Sequence, residues 1–300
     1  MKAFVDWLLA RRWRPILVAG ATMPLVPIVS VAFVALETIR TGVGPTLPLA
    51  ALGAAMFALL WTGVGPLLGL DPLLMSVYGA VAIAVFALGV GIGALVRWAG
   101  RLVLAFESLL VLVSAAVLVL NLFGPGGSDL FAPAFDRLLE ALESDQGMTA
   151  AEVDAFRQAQ PLVLGLLAAG LAATLGLSLF LAYWLCGIAV GERRFGTEFR
   201  ALRLSRVIGI PATILVTVGL VLQAPLVQNL TALALVGFLF QGLAVLHAWA
   251  HARSWHVGFV VPVYVLMLLT PLRGYIVLAL AAAGLLDNWF DLRAPLRPRT

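Results

Sequence analysis

Residues 102–123 read LVLAFESLLVLVSAAVLVLNLF, and Glu107 is the one charged side chain among them. The hydrocarbon core of a bilayer is about 30 Å thick, so a helix that rises about 1.5 Å per residue needs roughly 20 apolar residues to cross it. Seven more apolar runs lie at residues 15–36, 46–70, 73–96, 161–190, 207–226, 229–250 and 257–286. The sequence therefore predicts an all-α, polytopic transmembrane helical bundle with about eight membrane segments, in a range of about seven to nine.

The composition indicates that lipid is the solvent of this chain. Its 300 residues are 62% hydrophobic and 11% charged, with a mean hydropathy of +1.06, whereas soluble domains are about 45–50% apolar. The 19 basic residues, all but one of them arginine, stand mostly at the ends of apolar runs, where they suit anionic headgroups. We therefore predict membrane lipids as partners and no nucleic acid.

The sequence contains no redox or metal-binding motif. Cys186, the only cysteine, lies inside an apolar run, which excludes an internal disulfide, a CxxC pair and a thiolate zinc site. His247 and His251 share one helical face and His256 follows. The next carboxylate along the chain after these histidines is Asp287, about thirty residues further on. We interpret these histidines as interfacial, and we predict neither a metal nor a cofactor.

The charged residues divide the chain into five parts. These are a basic interfacial segment (1–14), N-terminal membrane segments (15–123), an acidic extramembrane insertion (124–160), C-terminal membrane segments (161–293) and a basic tail (294–300). The first is predicted as an interfacial helix with Phe4, Trp7 and Leu8 toward lipid, the alternative being an irregular basic leader. The insertion has apolar residues at helical spacing and a capping-box pattern at Thr149 and Glu152, which predicts two short helices.

Two of the runs, 46–70 and 257–286, contain proline and glycine at membrane depth, namely Pro48, Gly63, Gly65, Pro66, Pro271 and Gly274. Broken backbone survives there only where protein or water satisfies its polar groups, so we predict one or two kinked or re-entrant segments. If every run crossed, nine basic residues would lie on each side, whereas the positive-inside rule requires an excess in the cytoplasm. The preferred arrangement makes the second run re-entrant and bends the last. It places the N-terminus, residues 191–206 and the C-terminus in the cytoplasm and the insertion outside.

Glu107, Gln241 and His247 are candidates for a ligand or ion pathway, because polar groups inside hydrocarbon are costly and are commonly functional. We expect Glu107 and Gln241 to line a midplane cavity with one of the broken segments. The alternatives are that Glu107 pairs with Arg101 or Arg97, and that Gln241 forms a hydrogen bond between helices.

Arg200, Arg203, Asp287 and Asp291 are predicted to form a structural polar clamp at the membrane interface. Asp287 and Asp291 are four residues apart, so in a continuing helix they would face one way and accept forked hydrogen bonds from the arginines. A phosphate or lipid-headgroup site is the alternative reading of the same residues.

Three segments of the C-terminal half carry a resemblance to a known family. They read FGTEFRALRL at 195–204, QGLAVLH at 241–247 and GLLDNWFDLR at 284–293. On these segments the chain resembles the YybS-like family of predicted bacterial membrane proteins of unknown function, over residues 161–293. The resemblance implies a multi-pass protein of the bacterial inner (cytoplasmic) membrane without an established activity, and His247 is the histidine that falls in the family pattern.

Three classes of function remain. The broken runs and Glu107 favour a transport component that binds a small solute or a lipid. The polar clamp and the lack of a charged relay favour a non-catalytic assembly or scaffold protein, whose protein partner the sequence does not identify. An enzyme is not predicted, because neither an HExxH motif nor a serine with its histidine and aspartate stands out.

Overall fold

The computed structural model describes residues 1–23, 26–64, 72–123, 132–133, 135–137, 139–140, 149–192, 194–222, 224–255, 257–269 and 273–296. These residues form helices and contain no strand, which confirms the all-α prediction for them. The α-helices are α1 (Lys2–Leu9), α2 (Trp13–Thr22), α3 (Pro27–Thr41), α4 (Val43–Val64), α5 (Pro72–Ala99), α6 (Leu102–Phe123), α7 (Ala150–Ala159), α8 (Val163–Val190), α9 (Arg194–Arg200), α10 (Arg206–Gly219), α11 (Pro225–Ala252), α12 (Val261–Leu269) and α13 (Arg273–Phe290). Short 3-10 turns cover Gln160–Leu162, Val257–Phe259 and Ala294–Leu296.

Among the described residues, five helices are long and apolar enough to cross a membrane, at Val43–Leu60, Gly79–Ala99, Leu102–Phe123, Ala151–Val190 and Pro225–Ala252. They indicate a membrane-embedded protein, but they do not confirm the predicted number of about eight segments. The difference arises where prolines interrupt apolar runs. Pro27 begins a new helix inside the run 15–36, and α10 ends at Gly219 before Pro225 opens α11.

The contacts within the chain divide it into two compact units. Unit 1 comprises Met1–Leu109 and Thr174–Phe199, and unit 2 comprises Leu110–Ala173 and Arg200–Thr300.

The first apolar run of unit 1 forms a helical hairpin and not a single span. α2 and α3 pack against each other and have 10 and 15 residues, or about 15 and 22 Å, each short of the hydrocarbon core. At the tip of the hairpin the hydroxyl oxygens of Thr22 and Ser30 are 3.0 Å apart. At its base Arg40 Nη1 donates to the carbonyl oxygen of Leu9 at 3.5 Å. The run therefore enters and leaves at the same end.

α3 also packs closely against α5. A Cβ atom at Gly89 would meet the side chain of Val34, and one at Gly93 would meet Thr38 and the carbonyl oxygen of Ala35. The four-residue spacing of these two glycines is typical of close helix approach and serves this contact.

Arg97 also lies at the base of the hairpin. Arg97 Nη1, at the end of α5, donates to the carbonyl oxygen of Ile39 at 2.6 Å. The first amide of α6, Leu102 N, donates to Glu198 Oε2 at 2.9 Å, which brings the α5–α6 turn and α9 together. If the first run does not cross and every other run does, the basic residues before and after it lie on one side, and the count is no longer nine against nine.

The second run forms α4, a continuous helix of 22 residues with Pro48 inside it. The prediction that this run is re-entrant is therefore wrong for residues 43–64. Pro48 removes one intrahelical hydrogen bond near the start of the helix without ending it. Gly65 and Pro66 lie outside the described residues, as does Pro271 in the gap between α12 and α13.

The N-terminal segment is helical from Lys2 to Leu9, and Phe4 and Trp7 are exposed as predicted. Leu8 is fully buried with Val5 in the core of unit 1, so the prediction that it faces lipid is wrong. Arg14 Nη1 donates to the carbonyl oxygen of Trp7 at 2.6 Å, with its guanidinium 4.8 Å from the Trp7 ring centre. This contact fixes the angle between α1 and α2.

The capping box in the insertion is confirmed. Thr149 N donates to Glu152 Oε2 at 2.8 Å, and Glu152 N donates to Thr149 Oγ1 at 3.4 Å. The described residues between 132 and 140 are also helical, with Leu139 buried and Asp136 and Glu140 exposed, which is the expected amphipathic pattern.

Cysteine labelling tests the hairpin. With Cys186 replaced by serine, single cysteines at Lys2 and Gly44 should react with a membrane-impermeant maleimide from the same face of the membrane. Both positions are exposed, and a Cβ at Gly44 meets nothing within 4 Å. A cysteine at Asp154, before the long apolar helix, should react from the other face. Labelling of Lys2 and Gly44 from opposite faces would show that the first run crosses after all.

Candidate functional site

Asp287 lies fully buried near the end of α13 in unit 2 and forms a forked ion pair with Arg293. Arg293 Nη2 donates to Oδ2 at 2.6 Å, and Arg293 Nε donates to Oδ1 at 3.2 Å. The partner of Asp287 is thus Arg293, and not the predicted Arg200 or Arg203. The cause is a chain reversal just after α13, where Asp291 adopts a left-handed conformation (φ 46°) and turns Arg293 back toward the helix.

The two predicted arginines play unequal parts. Arg203 Nη1 lies 3.6 Å from Asp291 Oδ1, and its Nη2 donates to the carbonyl oxygen of Asn288 at 2.9 Å. Arg200 takes part through its main chain, because its carbonyl oxygen accepts from Arg293 Nη1 at 2.7 Å. The structure therefore brings the four clamp residues together, with Arg293 at the centre.

Gln241 is fully buried on α11 and joins this cluster. Its Nε2 donates to Asp287 Oδ2 at 2.9 Å, and its Oε1 accepts from Leu204 N at 3.0 Å. Both ends of the amide are engaged in tying α11 to α13 and to the segment before α10. This geometry matches the alternative of a hydrogen bond between elements, and it leaves Gln241 no role in lining a cavity.

Glu107 belongs to unit 1, near the start of α6, where it is 7% exposed. The broken segments predicted to line a cavity with it are residues 63–66 and 270–274, of which 65–66 and 270–272 lie outside the described residues. Both ends of the Gln241 amide are engaged in contacts between elements, so Gln241 does not support the predicted polar cavity.

His247 lies on α11 and is paired with Tyr264 of α12, with 2.8 Å between His247 Nε2 and the tyrosine hydroxyl. The two rings are tilted with centroids 6.0 Å apart. Within the described ranges there is no group of three histidine, cysteine, aspartate or glutamate residues that could hold a metal ion. The geometry places His247 in a contact between two helices.

Glu37, at the base of the hairpin in unit 1, is a buried acid that sequence reasoning missed. Its Oε2 lies 3.4 Å from Arg40 Nη1, and its Oε1 has no hydrogen-bond partner among the residues the structure describes. A signal was present, because Ser30, Glu37 and Thr41 recur at seven and four residues and so share one face of α3.

A groove of about 340 Å³ opens in unit 2 between α6, α10 and α11. Its lining is apolar except for the hydroxyl of Ser114, and consists of Leu110, Val111, Ser114, Ala115, Leu118, Leu204, Val207, Ile208, Pro211, Ala212, Leu215, Leu230, Leu233, Ala234 and Gly237. Val207 on its rim is 78% exposed, and Val111 and Leu118 are also exposed, whereas Leu233 and Gly237 are buried at its floor. The groove therefore opens on the outer surface, which is where lipid would lie.

Small residues create this groove. A Cβ atom at Gly237 would lie 3.0 Å from Leu110 Cδ1 and 3.3 Å from Leu204 Cδ1, so the floor can hold no larger side chain without a shift. Ala115 and Ala234 leave space on α6 and α11. Sequence reasoning missed the groove because these residues look like any other apolar helix face.

The groove is about as deep as one leaflet. It extends from Leu110 to Leu118 on α6 and from Val207 to Leu215 on α10, which at about 1.5 Å per residue is about 12 Å. Half of a hydrocarbon core is about 15 Å. An extended chain lying along these helices would thus be covered for most of one leaflet.

No protein-family model, no curated protein and no solved structure matches this chain. The resemblance to the YybS-like family remains a prediction.

Proposed function

We propose that this chain is an integral protein of the bacterial inner membrane that binds the hydrocarbon chain of a lipid in the groove of unit 2, as a component of lipid transport or handling and not as an enzyme. The observation that carries the proposal is the lining of the groove. Fourteen of its residues have apolar or no side chains, and it opens on the outer surface.

The apolar lining favours a hydrocarbon chain over a small polar solute. A polar group buried without a partner costs about 1–3 kcal/mol, and a solute with several such groups would find only the Ser114 hydroxyl among the lining side chains. A methylene chain carries no such penalty. The lipid half of the predicted solute-or-lipid class is therefore the half that the groove supports.

Packing and not the hydrophobic effect must supply the affinity. A lipid tail is already in an apolar solvent, so moving it into the groove removes no apolar surface from water. The gain comes from close contacts with side chains that hold fixed rotamers, each worth only about 0.1–0.2 kcal/mol per atom pair. We expect such a groove to bind tails of suitable length weakly and to exchange them with the bilayer.

The basic residues of unit 2 support an orientation with the Leu204 end of the groove toward the cytoplasm. The Arg293 bond to the main chain of Arg200, and the bond from Trp249 Nε1 to the carbonyl oxygen of Leu292 at 3.2 Å, bring the basic ends of several elements together. The arginines at this end are Arg200, Arg203, Arg206, Arg253 and Arg293. By the positive-inside rule we expect this end to face the cytoplasm and the groove to lie in the inner leaflet.

A scaffold protein is the second candidate, and the polar cluster of Asp287, Arg293 and Gln241 favours it. Each of these side chains is engaged in joining elements of unit 2. The two candidates differ in the groove, because a scaffold has no need of an occupant there.

Two neighbouring alanines of α6 provide a matched test of the proposal. Ala115 lines the groove, whereas Ala116 is also exposed but does not line it. Phenylalanine at Ala115 should occupy the space of the acyl chain, and the loss of contacts worth about 1.4 kcal/mol predicts about tenfold less lipid retained after purification in mild detergent. Ala116→Phe should retain as much lipid as the wild type. The readout is lipid per protein by mass spectrometry.

Both variants should elute and melt like the wild type, which separates loss of lipid from loss of fold. Equal lipid content in Ala115→Phe and Ala116→Phe would contradict the proposal, and the scaffold candidate would then replace it.

A further inference from the structure

We propose that the groove selects an anionic glycerophospholipid of the cytoplasmic leaflet, whose phosphate is bound by Arg206 while one acyl chain lies in the groove. This inference rests on the proposed function and adds the headgroup to it. Because packing alone distinguishes poorly between acyl chains, the protein must recognise a particular lipid mainly by its headgroup.

On α10 and α11 the charge beside the groove lies at one end. Arg206 is the first residue of α10 and directly precedes Val207 on the groove rim. From Val207 to Ala252, through the rest of α10 and all of α11, the sequence has no aspartate, glutamate, lysine or arginine. The opposite end of the groove, at Leu118, Leu215 and Leu230, is therefore without charge on these two helices. An anionic amphiphile has the same asymmetry.

Arg206 is available for a ligand where its neighbour Arg203 is not. Arg203 is engaged with Asp291 and with the carbonyl oxygen of Asn288. Arg206 is exposed, and across the described part of the chain it forms no ion pair with a carboxylate. An exposed guanidinium at the level of the headgroups attracts phosphate by charge and can donate two parallel hydrogen bonds to it.

The position of Arg206 along α10 suits this role. An extended Arg206 side chain can hold the phosphate beyond the start of α10, which leaves room for the glycerol and ester groups before the acyl chain meets Val207. From there to Leu215 the lining is apolar. The polar end and the apolar groove are thus in register for a molecule with an anionic head and a straight tail.

The test uses the full chain in nanodiscs made of equal parts of phosphatidylglycerol and phosphatidylcholine with identical acyl chains, followed by native mass spectrometry of the retained lipid. The wild type should retain phosphatidylglycerol about fivefold over phosphatidylcholine. Arg206→Gln should retain both lipids in equal amounts, with the total little changed. Arg253→Gln is the matched control, since Arg253 is another exposed arginine of unit 2 that stacks on Trp249 and does not border the groove lining. It should keep the fivefold preference.

The outcomes separate the two proposals. If Arg206→Gln keeps the preference for phosphatidylglycerol, or loses both lipids in equal proportion, the headgroup inference is overturned while lipid binding in the groove stands. If the wild type has no preference between the two lipids but Ala115→Phe still loses both, the groove binds acyl chains without selecting a headgroup. The inference then fails as well. If Ala115→Phe retains as much lipid as the wild type, the proposed function itself fails.

Discussion

Replacing Asp287 by alanine should lower the free energy of unfolding by about 3–5 kcal/mol, because it breaks a buried ion pair and leaves the partner charge without compensation. Asp287 is fully buried, and the Arg293 side chain that remains is only 12% exposed. The substitution also leaves the Nε2 group of Gln241 without its acceptor. The measurement is the melting temperature of the purified protein in detergent, together with its yield from the membrane.

Asp291→Asn provides the matched control on the same turn of the chain, because asparagine also tolerates the left-handed conformation of Asp291 (φ 46°). The ion pair between Arg203 and Asp291 is longer, at 3.6 Å, and its side chains are 35% and 27% exposed, so its loss should cost under about 1 kcal/mol. Replacing Asp287 and Arg293 together by leucine and methionine should recover part of the lost stability, because no unpaired charge then remains buried. Equal melting temperatures for Asp287→Ala and Asp291→Asn would contradict the assignment of Arg293 as the central partner.

The second large effect is expected at Gly242, where α11 crosses α13. A Cβ atom there would lie on the carbonyl oxygen of Leu280, and one at Gly284 would lie on the carbonyl oxygen of Phe238. Because backbone atoms cannot move aside as a flexible side chain can, Gly242→Ala should force the two helices apart. We expect a loss of about 3 kcal/mol, at the upper end of the range for overpacking, measured as a fall in melting temperature.

The sign of this effect is diagnostic. Glycine to alanine in a helix interior normally stabilises by up to about 1 kcal/mol. Gly170→Ala, on α8 in the same unit, is the control, because a Cβ at Gly170 meets nothing within 4 Å. It should be neutral or slightly stabilising. If Gly242→Ala behaved like Gly170→Ala, the close crossing of α11 and α13 would be wrong.

The helical class of this protein could be predicted from sequence because long apolar runs leave the chain few alternatives in lipid. The hairpin of α2 and α3 could not be predicted from run length, since residues 15–36 are long enough to cross. Pro27 was the available signal, because a proline suits the first turn of a new helix. The tie in the charge count did indicate that some run does not cross, but it could not say which.

The polar cluster shows a similar limit at the level of side chains. Burial and helical spacing drew attention to Asp287, Asp291 and Gln241, and the structure brings all of them together. The pairing of Asp287 with Arg293 depends on the left-handed conformation of Asp291, which sequence spacing does not reveal. No pattern in the sequence predicts the groove, because its shape depends on how three apolar helices pack.

Density in the groove is the most direct test of the central claim that unit 2 binds a lipid chain. In a structure determined by electron cryomicroscopy in lipid nanodiscs, the wild type and Ala116→Phe should show an elongated density along α6, α10 and α11. The end of the density toward the middle of the bilayer should lie near Leu118, and the end at the headgroups should lie near Arg206. Ala115→Phe should lack it. A wild-type groove closed by its own side chains, or a density that persists unchanged in Ala115→Phe, would contradict the claim.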